Sequence, residues 1–101
     1  MKPFIYHEEA LQEIGQSARY YAEQRTSFGE EFKQAILDAE DIITRNPRIG
    51  VPISYTASAI RKFHLKRFPY SIFYYEYPDY IFIISIEHDR RRPGYWMDRI
   101  E

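Results

Sequence analysis

The chain has no cysteine among its 101 residues, which excludes a disulfide framework and any metal site built on thiolates. Long apolar runs are also missing, since the longest, YIFII at residues 80–84, is far too short to cross a bilayer. The opening MKPFIYHEEA lacks the apolar core of a secretion signal. We therefore expect a cytoplasmic protein with no membrane partner.

Recognisable cofactor motifs are absent as well. The four glycines form no phosphate-binding loop, and the three histidines do not have the spacing of metal ligands. The sequence therefore predicts neither a cofactor nor a metal.

Apolar and aromatic residues are abundant, at 45% and 18% of the chain, which is typical of a protein that folds around a core. A chain of this length has room for one such core. We expect a single domain over residues 1–101.

Two amphipathic helices are predicted in the first half. Apolar residues recur at helical spacing between Ala10 and Ala22, with Glu8 and Glu9 in the first turn, where the helix dipole favours carboxylates. Ser27 and Glu30 have the spacing of a capping box for a second helix, which Pro47 should end at Asn46. The second helix carries an apolar stripe that we expect to face a sheet: Phe32, Ile36, Ala39, Ile42 and Ile43.

Three β-strands are predicted in the second half, at residues 60–67, 70–77 and 80–88, with a tight turn at Pro78 and Asp79. The fold class is therefore α+β, a helical hairpin packed on a small antiparallel sheet. The last two strands are apolar on both faces, so both faces need cover. The helices can cover one face, which leaves the other for the loop before the strands, the C-terminal tail or a partner protein.

Basic residues cluster at the ends of these strands. Residues 1–59 carry six Lys and Arg against nine Asp and Glu, and residues 60–101 carry eight against six, so the halves stand at −3 and +2. Up-and-down strands return His88 to the sheet end that holds Arg67 and Tyr70. Histidine can exchange protons near neutral pH, whereas arginines such as Arg91 hold phosphate oxygens. Arg67, His88 and Arg91 are thus candidate catalytic residues for metal-independent RNA cleavage.

The same residues also have a structural interpretation. A lone histidine at a strand end often serves as a cap, and Arg90, Arg91 and Arg92 are also typical of a solvated chain end. Trp96 is expected to anchor the tail across a helix.

Taken together, the element order and three motifs resemble the RelE/ParE toxin superfamily of bacterial type II toxin–antitoxin systems, and most of all its ParE branch. The motifs are Leu65-Lys66-Arg67-Phe68-Pro69-Tyr70, then Ile72-Phe73-Tyr74, then residues 88–92 with Pro93, Tyr95 and Trp96. The resemblance covers almost the whole chain. It implies a helical hairpin on an antiparallel sheet, neutralised by a cognate antitoxin whose C-terminal segment wraps the toxin.

Two toxin mechanisms divide that superfamily. RelE-like members cleave mRNA in the ribosomal A site, and the resemblance matches Arg67 and His88 to an arginine and a strand-end histidine of such enzymes. ParE-like members poison DNA gyrase. This chain lacks a dense lysine array and has a net charge of only −1, which favours the ParE mechanism.

We therefore expect a toxin that inhibits DNA gyrase. Its expected partner-binding residues are Arg90, Arg91, Arg92, Tyr95 and Trp96. The alternatives are a ribosome-dependent mRNA endonuclease, with the ribosome and mRNA as partners, and a non-toxic domain of the same fold that only binds an antitoxin.

Overall fold

A computed structural model describes residues 2–53, 59–91 and 94–100 of the chain. The elements follow in the order β1 (Phe4–Tyr6), α1 (Glu8–Gln24), α2 (Thr26–Arg45), β2 (Val51–Pro52), β3 (Arg61–His64), β4 (Tyr70–Glu76), β5 (Ile81–His88) and a short 3₁₀ helix (Met97–Ile100). In the described part of the chain, no helix is long and apolar enough to span a membrane.

The sheet has five strands in the order β1-β5-β4-β3-β2. The pairings β3–β4 and β4–β5 are antiparallel, as predicted. The strand β2, which was not predicted, pairs with β3 in antiparallel, and β1 pairs with β5 in parallel, so the sheet is mixed rather than antiparallel. A parallel pair needs a long connection between its strands. The strand β1 was missed because the segment is only three residues long and its partner lies at the other end of the chain.

The ends of the helices follow local sequence only in part. The helix α1 begins with both glutamates in its first turn, and α2 ends at Arg45 ahead of Pro47, as predicted. The predicted capping box is wrong, because α2 already begins at Thr26 and Ser27 lies inside it. One residue, Arg25, joins the two helices and makes no side-chain cap.

Gly29 explains how closely the two helices pack. A Cβ atom at this position would lie 2.9 Å from the carbonyl oxygen of Ala18 and 2.8 Å from the Cβ of Ala22. Both distances are shorter than van der Waals contact allows, so only glycine fits here. The close packing keeps the hairpin a single rigid layer.

The strand β3 is shorter than predicted, because the chain turns sharply after His64. The amide of Leu65 donates to the carbonyl of Tyr70, and the amide of Tyr70 donates to the carbonyl of Phe68. Arg67 has a φ of 74°, a left-handed conformation that a non-glycine residue adopts only when its surroundings impose it. Arg67 therefore lies in a tight loop and not in a strand.

Both faces of the central strands are covered. On one face, the helices contribute Phe32, Ile36, Ala39 and Ile43 to a core shared with β4 and β5, while Ile42 remains exposed. On the other face, Trp96 is fully buried against Phe73 and Ile84. The expectation that Trp96 anchors the tail across a helix is therefore wrong, since the tail covers the second face of the sheet.

A polar network joins this tail to α1. The carboxylate of Glu13 accepts hydrogen bonds from the Tyr95 hydroxyl at 2.7 Å, from Arg99 Nη2 at 2.8 Å and from the amide of Ile86 at 3.0 Å. Arg99 also donates to the carbonyl of Ile84 at 3.1 Å. These side chains thus satisfy backbone groups of β5 beyond the end of the short strand β1.

Two glutamates contact Arg99, and they provide a matched test of the network. Glu13 and Arg99 have side chains 12% and 7% exposed, whereas Glu9, 3.6 Å from Arg99, is 59% exposed. Breaking a buried ion pair from one side costs about 3–5 kcal/mol, but an exposed pair contributes about 1 kcal/mol or less. We expect Glu13→Gln to lower the melting temperature by roughly 10 °C or more and Glu9→Gln to change it little. Equal thermal melts for the two variants would contradict the role of the network.

Candidate functional site

The sheet end that holds Tyr70 and His88 was expected to gather the candidate site residues. The two residues are direct partners in the β4–β5 register, so the strand order does return His88 to this end. The His88 ring lies against Tyr70, with ring centroids 5.0 Å apart, and its Nδ1 accepts a hydrogen bond from the amide of Arg90. Because Tyr70 packs against the helical core, His88 lies on the helix face of the sheet.

Arg67 lies in the loop between β3 and β4, and its side chain contacts α2. Its guanidinium forms an ion pair with Glu31 of α2, on the rim of a groove between that helix and β3. No contact joins it to His88 or Arg91 among the described residues. Arg67 is therefore engaged with the helical layer.

Arg90 and Arg91 differ from Arg67 in having no carboxylate partner among the described residues. Arg91 stacks on Tyr95, its Cζ 3.7 Å from the ring centroid, and Tyr95 belongs to the tail face of the sheet. Neither Arg90 nor Arg91 forms an ion pair within the described residues, and both are exposed. Arg92 lies outside the described residues.

The structure thus places the side chains of the three candidate catalytic residues apart, although the backbone amide of Arg91 donates to the carbonyl of His88 at 2.9 Å. His88 lies on the helix face, Arg91 on the tail face, and Arg67 at the groove. Of the expected partner-binding residues, Arg90 and Arg91 are accessible. Tyr95 is half-buried and Trp96 fully buried, so Trp96 supports this surface from below and does not contribute to it.

A second group of charged residues, which the sequence did not single out, lines a cavity of about 150 Å³ on the tail face. Lys62 of β3, Glu87 of β5 and Arg91 border it, with Ser71 and Phe73 of β4 between them. The signal in the sequence was a lone glutamate within an otherwise apolar strand.

Glu87 is the most unusual of these residues, because it is only 5% exposed. Its Oε2 accepts a hydrogen bond from the indole N–H of Trp96 at 3.0 Å. Burial raises the pKa of the Glu87 carboxyl above its ordinary value, although the Trp96 hydrogen bond and the nearby charges of Lys62 and Arg91 oppose the rise.

A small hydrogen-bonded cluster lies beside this cavity. His64 Nδ1 lies 3.2 Å from the Ser71 hydroxyl and 3.4 Å from Asp89 Oδ2, and the Ser71 hydroxyl donates to Asp89 Oδ1 at 3.1 Å. Serine and aspartate thus share one nitrogen of the ring. In a nucleophilic triad, histidine bridges the two groups through different nitrogens, so this arrangement fits a structural tie between β3 and β5.

A larger cavity, of about 480 Å³, lies on the helix face between α2 and the β3 edge. Its floor is apolar, with Ala35, Ile42, Phe63 and Leu65, and its rim is charged, with Asp38 on one side and Lys66 on the other. Within the described residues, β2 pairs with Arg61 and Lys62 and not with Phe63 or His64, so this half of the outer edge of β3 is open beside the groove. No group of three or more side chains suited to a metal ion occurs in the described residues.

One comparison with known proteins identifies a family, and a second supports the fold. Residues 4–93 match a family model described as the ParE toxin of the type II toxin–antitoxin system parDE. A solved structure titled "Chromosomal ParDE TA system from P. aeruginosa" aligns with a TM-score of 0.64 and 16% sequence identity, covering 87% of this chain and 96% of that chain. A search of curated proteins found no match. At this identity, the structural match supports the α+β fold.

The buried carboxyl of Glu87 predicts a pH-dependent stability. A carboxyl whose folded pKa is raised binds its proton more tightly in the folded state, so it costs stability as the pH rises from its ordinary value of 4.5 through the folded value. We expect Glu87→Gln, which lacks this titration, to gain stability relative to the wild type as the pH is raised from 4 to 7. Denaturant unfolding at several pH values measures the difference. A constant difference between the two proteins across this range would show that Glu87 titrates alike in both states.

Proposed function

Because this chain belongs to the ParE toxin family of type II toxin–antitoxin systems, we propose that it arrests growth by inhibiting DNA gyrase and that a cognate antitoxin neutralises it. Its exposed tail arginines, Arg90 and Arg91, form the basic part of the surface that docks on gyrase. The observation that carries this proposal is their lack of a carboxylate partner in the described residues, which leaves their charge available to an acidic surface.

The separation of Arg67, His88 and Arg91 favours a docking mechanism over RNA cleavage. General acid–base catalysis needs the proton-transfer group and the phosphate-binding cations within hydrogen-bond reach of one substrate. Here His88 and Arg91 belong to opposite faces of the sheet, and Arg67 is paired with Glu31. A docking surface needs no proton transfer, so it does not require these residues to converge.

The groove between α2 and β3 is the proposed site for the antitoxin. An apolar floor with charged rims suits an amphipathic segment, which buries its apolar side chains and pairs its charges at the edges. The open edge of β3 also offers backbone groups to an extended part of the same segment. The groove thus accepts either a helix or a strand of the partner.

Two exposed apolar residues of α2 provide a matched test of the groove. Ile42 lines it and is 40% exposed, whereas Leu37, 55% exposed, lies outside it. We expect Ile42→Glu to weaken antitoxin binding by roughly tenfold or more, because a carboxylate would be desolvated in the complex. Leu37→Glu should leave the affinity unchanged. Calorimetric titration with the antitoxin measures the affinity of each folded variant. Equal affinities of the two variants would show that the antitoxin binds elsewhere.

Substitutions at the strand end separate the two toxin mechanisms. We expect cells that express His88→Gln to stop growing as wild type does, because no proton transfer is required, and the double variant Arg90→Ser, Arg91→Ser to lose toxicity. Growth after induction, followed by gyrase supercoiling assays on the folded proteins, measures both. Loss of toxicity in His88→Gln, together with mRNA cleavage by wild type, would overturn the gyrase proposal. A wild-type chain that does not slow growth would leave the antitoxin-binding domain as the function.

A further inference from the structure

We propose that the cavity bordered by Lys62, Glu87 and Arg91 is a binding pocket for the guanine base of a nucleotide. The family assignment provides no ligand for it, and the proposed gyrase and antitoxin surfaces do not require one. Its volume of about 150 Å³ is well below the ~300–1,000 Å³ of pockets that enclose a whole drug-sized ligand. The cavity therefore suits one ring system, with the sugar and phosphate lying at its mouth.

The open acceptor in this pocket is Glu87 Oε1. Trp96 donates to Oε2, and Oε1 accepts no hydrogen bond from the described residues. Among the described residues, the only fully buried side-chain nitrogen or oxygen without a hydrogen-bond partner is the hydroxyl of Ser85. Glu87 Oε1 is therefore not fully buried. Because Glu87 is 95% buried and lines the cavity, this oxygen opens into it. A buried carboxylate oxygen without a donor is costly, and a ligand donor would relieve that cost.

Two cations border the same cavity without satisfying that oxygen. The other carboxylate of the lining, Asp89, accepts from the Ser71 hydroxyl and lies 3.4 Å from His64 Nδ1. Lys62 Nζ lies 5.8 Å from the centroid of the Phe73 ring, and Arg91 stacks on Tyr95. Neither forms an ion pair with Glu87, although all three side chains line the one cavity. A ligand between them thus meets an acceptor at the base of the cavity and donors at its mouth.

Guanine is the nucleobase that matches this arrangement. Its N1–H and 2-amino groups are adjacent donors, which a carboxylate accepts, whereas adenine presents an acceptor at N1 that the carboxylate repels. Lys62 and Arg91 suit the phosphate, and the planar guanidinium of Arg91 also offers a face for stacking. The shared chemistry is a guanine with an adjacent phosphate, whether free or within a single strand.

A series of nucleotides tests the proposal directly. Trp96 is the only tryptophan of the chain and donates to Glu87, so its fluorescence reports on the pocket, and calorimetry gives the affinity. With the purified chain we expect GMP to bind best, IMP, which lacks the 2-amino group, to bind several-fold more weakly, and AMP to bind roughly tenfold or more weakly than GMP. Inorganic phosphate should not compete at equal concentration. Short single strands that contain guanosine or adenosine repeat the comparison for a base within a chain, and a guanine preference in either form supports the pocket.

Two variants assign the binding to these residues. Glu87→Gln keeps an oxygen for the Trp96 N–H but turns an amide donor toward the ligand, so it should abolish the preference for GMP over AMP. Lys62→Ala should weaken all nucleotides, whereas Lys66→Ala, which removes the same charge from the groove rim, should change nothing. Equal affinities for GMP, AMP and phosphate, or no binding by any of them, would overturn the proposal. Gyrase inhibition by Glu87→Gln is a separate measurement, so either proposal can fail alone.

Discussion

The strands β4 and β5 are apolar on both faces, and the rest of the structure is organised around that constraint. Both faces must be removed from water, but the helical hairpin can reach only one of them. The tail covers the other face, with Trp96 buried against Phe73 and Ile84. Glu13 and Arg99 hold the tail in place and satisfy the backbone of β5 where β1 is too short to do so. The burial of two apolar faces thus depends on one buried polar network.

The two candidate functional surfaces lie at the edges of the helical hairpin and of the tail, where these elements stop covering the sheet. On the helix face, α2 stops short of the β3 edge and leaves the groove. On the tail face, Trp96 covers Phe73 and Ile84, and one oxygen of Glu87 accepts no hydrogen bond from the described residues at the cavity that Lys62 also lines. Both sites border β3, whose side chains alternate between the faces, so Phe63 lines the groove while Lys62 lines the tail-face cavity. The same short strand therefore contributes to two chemically different surfaces.

Sequence patterns predicted the parts of this fold that depend on residues close together in the chain. The helical stripes, the stop before Pro47 and the turn at Pro78 and Asp79 are each set by residues close together in the chain. By contrast, β1 is defined only by its pairing with β5, and the positive φ of Arg67 only by the loop that closes on Tyr70. Such features depend on contacts between distant residues, which periodicity does not report.

The candidate site was harder to predict for the same reason. Strand order correctly returned His88 to the Tyr70 end, but distance along a sheet says nothing of the face on which a side chain lies. Consecutive side chains of a strand point to opposite faces of the sheet, so an error of one residue places a side chain on the wrong face. The register shift between Phe73 and Tyr74 also changes which residues of β4 and β5 share a face. His88 and Arg91 are three residues apart in sequence and still belong to opposite faces. Glu87 was missed because its importance comes from burial by Trp96, a contact nine residues away.

Under the proposed function, the position of the groove limits how an antitoxin bound there can also cover Arg91. The groove lies on the helix face, and Arg91 lies on the tail face with Tyr95. A helix confined to the groove would pair with rim charges such as Lys66 but would leave Arg91 exposed. To cover Arg91 directly, the partner must continue past the groove and cross the open edge of β3 to the other side of the sheet. If the antitoxin binds the groove as proposed, its length beyond the groove, more than its affinity within it, decides whether it blocks Arg91.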